Sequence, residues 1–292
     1  MLVKSFTSNS IVIHAPAKIN LFLQVLNKRP DGYHNINSLF QAVTLFDIIK
    51  FKKIDDPVCR VQLTNKNDSD IKDNLILKAY DLMKMNFNLK GGIEATLEKS
   101  IPIAAGLGGG SSDCAAAIVA LNRLFNLRLD KNRMAEIALQ LGSDIPFFFS
   151  KGQALVTGRG EKVRETSYPV EYKIVLVSPP LSLSTKDGYA DLKMDLTCHT
   201  TPYNLKDNRN LEDFFKSVAG AGNDFEKVQF KKNPKLGEIK RELLNCGVEM
   251  AQMSGSGPTI FGVFKRAIDT ERACANNFAG CQLYTVEPFC LP

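Results

Sequence analysis

Metal-ligand spacing is missing from this sequence. It holds no Cys-x-x-Cys pair and only three histidines. Structural zinc sites draw on clustered cysteine and histidine, so that class is set aside. The seven cysteines (Cys59, Cys114, Cys198, Cys246, Cys274, Cys281 and Cys290) are odd in number and irregularly spaced. That usage reads as reduced thiols in a cytosolic protein rather than a disulfide framework. Also lacking is an apolar run of the roughly 18 to 20 residues that a membrane-spanning helix needs. The apolar stretch near the N-terminus is broken by His14, Lys18 and Asn20, so it is no signal-peptide core. About ten residues precede it, which leaves little room for a transit peptide. No basic tract occurs either. The net charge is +6, but lysine and arginine are scattered, in pairs such as Lys52-Lys53 and Lys231-Lys232. A nucleic-acid binder concentrates its basic residues on one face or tract. A mild positive bias instead helps to attract an anionic substrate. The expectation is a cytoplasmic protein with a small-molecule substrate and neither nucleic acid nor membrane as partner. A monomer and a homodimer both remain open.

What is present is the composition of an ordinary folded protein. Hydrophobic residues make up 44% and charged residues 23% of 292. That length is comfortable for two domains. Ile11, Ile13 and Ala15, then Ile19, Leu21, Leu23 and Val25, alternate as strands do, with an interruption at Pro16. Residues 27–34 form a turn-rich loop punctuated by Pro30-Asp31-Gly32. A further strand is expected through Val43-Thr-Leu-Phe46. Asn74 is placed to cap a helix with Leu75, Ala79, Leu82 and Met83 on its apolar face. Residues 93–97 alternate as a strand, and Cys114, Ile118, Leu121 and Phe125 mark a helix. Asp130 opens another helix through Met134, Ile137, Ala138 and Leu141, and Gly158-Arg-Gly160 is a turn between strands. The pattern restarts near residue 168 with the strand 173–179. Pro234 begins a helix carrying Leu236, Ile239 and Leu243. Strands are expected over 248–253, 259–264 and 282–286, and a helix over 268–278. Repeats and low-complexity segments are absent. The mixed order implies an α+β protein in two domains, residues 1–165 and 166–292.

The chemistry centres on Gly106-Leu-Gly108-Gly109-Gly110-Ser111-Ser112-Asp113, set between a strand and a helix. Glycines admit positive φ and let backbone approach a ligand closely. The helix that follows offers unpaired N–H groups and a positive dipole end. Together these form a phosphate cradle. Ser111 and Ser112 add hydroxyls able to bind phosphate or a phosphate-bound Mg²⁺. A Walker A loop is excluded because no lysine follows the glycines. A dinucleotide fold is excluded because the early βαβ context is missing. Asn223-Asp-Phe-Glu226 is not the Asp-Phe-Gly of protein kinases. The bland alternative is a flexible surface loop, which three consecutive glycines, two serines and an amphipathic helix disfavour.

Two charges stand out. Lys18 lies inside an apolar alternating strand, and Asp144 precedes Ile145-Pro-Phe-Phe-Phe149. Buried lysine is rare unless paired or facing a cleft. Taken singly, Lys18 is equally a strand-edge charge and Asp144 equally a helix N-cap. The sharper expectation is that they meet, Lys18 holding Asp144 ionised and Asp144 accepting a proton from a substrate hydroxyl. Because phosphoryl transfer depends mainly on positioning and charge neutralisation, Asp144 orients the hydroxyl as much as it deprotonates it. Tyr33-His34 reads either as a packed aromatic beside a surface histidine or as a pair that stacks on and hydrogen-bonds a ring. Met253-Ser-Gly-Ser-Gly-Pro258 is a second glycine turn, weak alone because a hairpin looks similar.

Three segments together resemble the GHMP kinases, a family that includes galactokinase, homoserine kinase and mevalonate kinase. Pro102-(x)3-Gly-Leu-Gly-Gly-Gly-Ser-Ser-Asp113 is similar to their ATP loop, Ala15-Pro-Ala-Lys-Ile-Asn-Leu21 to their N-terminal motif and Met253–Pro258 to their C-terminal one. Order and spacing match over nearly the whole chain. Arg29-Pro-Asp-Gly-Tyr-His34, Gly142-Ser-Asp-Ile-Pro-Phe-Phe148 and Gly222-Asn-Asp-Phe-Glu226 narrow the likeness to members whose substrate carries a cytosine.

The resemblance implies an N-terminal half like domain 2 of ribosomal protein S5 and a ferredoxin-like C-terminal half. It implies ATP and Mg²⁺, and phosphorylation of the 2-hydroxyl of a cytidine diphosphate sugar alcohol in non-mevalonate isoprenoid synthesis. By position, Lys18 and Asp144 match the catalytic pair, and Asn20 matches a substrate contact. Tyr33 and His34 match the cytosine-holding residues, and Thr185 and Tyr189 the pocket lining. Asn74, Leu75 and Lys99 match positions near the nucleotide, joined by Gly106, Gly108, Gly109, Gly110, Ser111 and Ser112 of the loop. Ser112 is also the candidate metal contact, Mg²⁺ being held mainly by ATP phosphates. Departures are small: Cys114 and Ser143 stand where alanine is usual, and Tyr189 where phenylalanine is common. Among rivals, the Tyr33-His34 loop opposes a homoserine or mevalonate kinase, whose substrates carry no base. The Lys18 and Asp144 pair opposes a non-catalytic nucleotide sensor. The missing basic tract opposes an RNA-binding protein.

Overall fold

A computed structural model describes residues 1–64, 74–192, 202–205, 210–265 and 277–291. In chain order the strands and helices are β1 (Leu2–Phe6), β2 (Ser10–Lys28), β3 (His34–Ile54), β4 (Cys59–Leu63), α1 (Leu75–Phe87), β5 (Gly92–Glu98), α2 (Gly109–Leu124) and α3 (Lys131–Ala138). A short 3₁₀ turn, Ile145–Phe149, follows. Then come β6 (Gln153–Gly158), β7 (Lys162–Glu165), β8 (Lys173–Ser178), α4 (Thr185–Asp191), α5 (Leu211–Ala221), α6 (Glu226–Lys232), α7 (Pro234–Asn245), β9 (Met250–Met253), β10 (Ile260–Phe264) and β11 (Gln282–Val286).

The protein is α+β. One sheet runs β1-β2-β3-β5-β4, with β6 on β3 and β7 on β6. A four-stranded antiparallel sheet runs β11-β8-β10-β9. The long strand β3 serves two neighbours, pairing residues 36–41 with β6 and 48–54 with β5. Helices α1 and α2 cover one face of the first sheet, and a second core lies between β2 and the smaller sheet.

Two register shifts in β2 position the site. Ile11, Ile13 and Ala15 belong to the core under α2. A shift between Pro16 and Ala17 then moves Ala17, Ile19 and Leu21 into the second core. A shift between Asn20 and Phe22 returns Leu23 and Val25 to the first. The second shift is a one-residue bulge at Leu21, which flips the face a side chain occupies; at the first, β3 carries two extra residues, Thr44 and Leu45, opposite the Pro16–Ala17 step. Lys18 and Asn20 lie between the two shifts and face the glycine loop.

Several expectations change in detail. Pro16 does not interrupt the strand; β2 is continuous, with Pro16 opposite Phe46. The strand expected at 43–46 is the middle of the 21-residue β3, whose residues 36–43 are buried on both faces, which hides the alternation there, while 47–52 alternate. On α1 the buried face is Ile76, Ala79, Tyr80 and Met83, while Leu75 and Leu82 are only partly buried. Phe125 is the C-cap of α2 rather than a helical residue. Strand β4 and helices α4, α5 and α6 were not anticipated. Of the helix expected over 268–278, residues 268–276 lie outside the described residues. Among those described, no helix is long and apolar enough to cross a membrane.

Candidate active site

The glycine loop leaves β5 and ends on α2. Gly106 and Gly108 hold φ of +76° and +70°, a region that costs a side chain about 1–2 kcal/mol. A Cβ on Gly106 would lie 2.2 Å from the Ser254 carbonyl oxygen, and one on Gly108 would press on the Lys18 stem at 3.0 Å. These glycines let the loop pack between β2 and the second glycine turn. Lys18 N donates to Leu107 O at 2.9 Å. The Ser254 hydroxyl donates to Gly106 O at 2.9 Å and accepts from Asn20 N at 3.3 Å.

Lys18 and Asp144 meet. Lys18 Nζ lies 3.5 Å from Asp144 Oδ2, with side-chain exposures of 4% and 37%. The ammonium also donates to Asn20 Oδ1 at 2.7 Å and sits 4.8 Å from the Phe40 ring centre. Asn20 Nδ2 in turn donates to Ser38 Oγ at 3.0 Å. Burial pulls the Lys18 pKa below that of an ordinary lysine, and the Asp144 charge opposes this. Asp144 stands at the N-cap position of the 3₁₀ turn, yet its side chain caps no N–H. The carboxylate remains available to the cavity.

Two adjoining cavities share Asp144, Ser111, Thr185 and Tyr189. The first, about 480 Å³, is lined by the glycine loop with Asn74, Leu75, Lys99, Lys18 and Asn20. The second, about 590 Å³, is lined by Tyr33, His34, Lys28, Arg159 and Lys186. Asn74 caps α1 as expected, accepting from Ile76 N at 2.9 Å. Tyr33 is half exposed and lies under the Arg159 guanidinium at 4.8 Å. His34 is buried and stacks face to face on Tyr189, with centroids 5.1 Å apart and planes 6° apart. Phe225 meets the other side of Tyr189 edge-on at 5.0 Å. Burial raises the Tyr189 pKa, and Asp144 adds to the effect. Thr185 Oγ1 is 2.8 Å from Ser256 Oγ of the second turn.

Lys99 is held differently from the other lining residues. Its ammonium donates to Asp47 Oδ2 at 2.5 Å and Asp113 Oδ2 at 2.9 Å. Burial draws the Lys99 pKa down, but the two carboxylates more than offset it. Burial raises the Asp113 pKa, and Asp47 adds to it against the opposing pull of Lys99. Ser112 Oγ, at the start of α2, is buried without a hydrogen-bond partner in the protein. An orphaned buried hydroxyl at a helix N-terminus fits a phosphate oxygen or its bound cation. Among the described residues, no group of three His, Cys, Asp or Glu side chains gathers to hold a metal.

Of the site residues expected from the sequence, all but Ser112 line this pair of cavities; Ser112 is fully buried and borders neither. Others were missed. Ser254 ties the second glycine turn to the first half through Gly106 O and Asn20 N, Ser256 meets Thr185, and Asn223 braces the turn from within the second half, its Nδ2 donating to Met253 O at 2.7 Å and Gly255 O at 2.9 Å. Arg159 and Asp47 were also missed. Asp47 follows an apolar strand segment, the same signal that marked Lys18.

A two-lobed α+β protein with a glycine loop beside a lysine–carboxylate pair defines a class of phosphotransferase. The family model for the GHMP kinases N terminal domain matches residues 74–152, and that for GHMP kinases C terminal matches residues 204–279. The chain belongs to the GHMP kinase family. It is 38% identical over 262 residues to the 4-diphosphocytidyl-2-C-methyl-D-erythritol kinase of Enterococcus faecalis, covering 90% of this chain and 93% of that one. It is likewise 38% identical to the enzyme of that name from Bacillus cereus, covering 87% and 88%. A crystal structure of 4-(cytidine 5'-diphospho)-2C-methyl-D-erythritol kinase superposes with a TM-score of 0.76 at 28% identity, over 95% of this chain and 99% of that one. A homoserine kinase from Cytophaga hutchinsonii shares the fold, with a TM-score of 0.70 at 17% identity over 99% and 98%.

Proposed function

We propose that the protein transfers the γ-phosphoryl group of ATP to the 2-hydroxyl of 4-diphosphocytidyl-2-C-methyl-D-erythritol, giving the 2-phosphate and ADP. The observation that carries this reading is the Lys18–Asp144 pair at the junction of two cavities, one floored by the glycine loop and the other by Tyr33 and His34. The relatives bearing that enzyme's name support the choice of acceptor.

The geometry and the family resemblance support the following roles. ATP phosphates lie on the loop, held by N–H groups at the start of α2 and by its dipole. Asn74, Leu75 and Lys99 border the nucleotide. In the other cavity Tyr33 stacks on the cytosine and His34 hydrogen-bonds it, while Thr185 and Tyr189 line the path toward Asp144. Asn20, fixed by Lys18 and Ser38, touches the acceptor near its reacting hydroxyl. Asp144 orients that hydroxyl and accepts its proton as the oxygen bonds to phosphorus and the bond to the ADP oxygen breaks. The Lys18 ammonium pairs with Asp144 at 3.5 Å and balances charge on the transferring group. Mg²⁺, held by the phosphates with the Ser112 hydroxyl as its protein contact, neutralises phosphate charge when bound. Residues 1–165 form the nucleotide lobe, and residues 166–292 supply Thr185 and Tyr189 to the cleft.

The test is ADP release with Mg·ATP and each of three acceptors: the cytidine compound, mevalonate and homoserine. Turnover confined to the cytidine compound supports the reading. Turnover with either simple acceptor and none with the cytidine compound sinks it.

A further inference from the structure

The nucleotide cavity rests on a buried ion cluster that reaches outside the glycine loop. Asp47, in β3, is fully buried. Its Oδ1 accepts from Ser100 N at 2.7 Å and Ile101 N at 2.9 Å, and its Oδ2 accepts from Lys99 Nζ at 2.5 Å. Three donors at the exit of β5 therefore converge on one carboxylate. Lys99 Nζ also reaches Asp113 Oδ2 at 2.9 Å, and Asp113 belongs to α2, the helix that receives the loop. Both ends of the loop are thus fastened to one cluster. A Cβ on Gly109, the first residue of α2, would lie 3.2 Å from Lys99 Nζ and 2.9 Å from Ile101 Cγ2, so the helix start packs directly on the cluster. Swinging Lys99 out toward a phosphate would leave two buried carboxylates uncompensated, which is strongly unfavourable.

We propose that Asp47 is a positioning residue for the nucleotide: it fixes Lys99 as a brace between β5 and α2, and the brace sets the aim of the N–H groups at the start of that helix. Lys99 borders the nucleotide, and its ammonium works inward on the protein. This inference rests on the reading that ATP lies on the glycine loop. Asp47→Asn keeps an acceptor for Ser100 and Ile101 but removes the charge that holds Lys99. A displacement near 1 Å at a phosphate site costs up to about 100-fold.

The test is isothermal titration with Mg·AMP-PNP, which needs no acceptor, together with steady-state kinetics. The expected result for Asp47→Asn is nucleotide affinity weakened about 10-fold or more, with the KM for ATP raised in parallel and the acceptor KM within about twofold. Asp113→Asn, which loosens the other side of Lys99, should weaken affinity in the same direction, and it serves if Asp47→Asn does not fold. If Asp47 acts through Lys99, then Asp47→Asn adds nothing further in a Lys99→Met background. A folded Asp47→Asn protein with wild-type affinity overturns the inference, as does strict additivity with Lys99→Met. Wild-type protein that binds no nucleotide instead overturns the loop reading beneath it. Wild-type protein that binds nucleotide but ignores the cytidine acceptor overturns only the acceptor, and the comparison of variants still stands.

Discussion

Asp144→Asn keeps the shape of the side chain and removes its charge, which separates catalysis from stability. The carboxylate lies 3.5 Å from the Lys18 ammonium. At that distance the attraction is about 1 kcal/mol in a water-like medium and about 5 kcal/mol at an effective dielectric constant near 20. Asp144 is 37% exposed but Lys18 only 4%, so the loss lies between about 1 kcal/mol for an exposed pair and about 3 kcal/mol for a broken buried one. No helix N–H is lost, because the side chain caps none. The thermal midpoint should therefore fall by about 2–10 °C. Turnover should suffer far more. Removing the group that orients the hydroxyl and takes its proton costs about 10²- to 10⁴-fold in kcat, equivalent to about 3–5 kcal/mol of barrier. Coupled ADP release at saturating acceptor, run beside differential scanning calorimetry, measures both. A variant that keeps more than about a tenth of wild-type kcat while its ATP KM rises would refute the reasoning, because it would move Asp144 from the acceptor to the nucleotide.

Lys18 sets the alkaline limb of the pH profile. Burial lowers its pKa and Asp144 opposes the shift, so activity should fall at a lower pH than an ordinary lysine titrates. In Asp144→Asn the residual kcat/KM should fall at a lower pH still, and an unmoved limb would exclude Lys18 as its source. The sign for stability is opposite. Between the lowered folded-state pKa and the ordinary value of 10.5, the unfolded chain binds the extra proton, so this residue makes stability rise with pH across that window; denaturant midpoints measure it. Gly106→Ala forces a Cβ to 2.2 Å from a backbone oxygen at positive φ, and urea unfolding should show a loss above about 2 kcal/mol. Asn223→Ala strands the Met253 and Gly255 carbonyls and should cost about 2–4 kcal/mol in the same assay, against about 1 kcal/mol if those groups find other partners. Tyr33→Ala should raise the acceptor KM about 5- to 150-fold, the worth of one base–aromatic stack, and leave the ATP KM unchanged; equal rises in both would place Tyr33 outside base recognition.

How much of this was legible in the sequence depends on how local each signal is. The glycine loop announces itself because its φ values and close approaches demand glycine within a few residues. Lys18 was legible as a charge among apolar neighbours, and Asn74 and Asp130 as caps whose hydrogen bonds close within three residues. Strand β3 was read short although residues 47–52 alternate, because its first half, 36–43, is buried on both faces, which erases period two there. Helix α5 carries an Asn210 cap, acidic residues in its first turn and Phe214, Phe215 and Val218 inward, so its signal was present but went unread. Asp47 carried the same anomaly as Lys18, a charge in an apolar strand, and its partners lie 52 to 54 residues away in sequence.

The deepest gap is the face on which Lys18 lies. From Ile11 through Val25 the odd positions are apolar throughout, on both sides of the interruption read at Pro16. Two register shifts send odd residues first to one core, then to the other, and back again. No local propensity reveals them, because each is satisfied by a different lobe. The same shifts turn Lys18 and Asn20 toward the loop. The site therefore exists because one strand serves two cores.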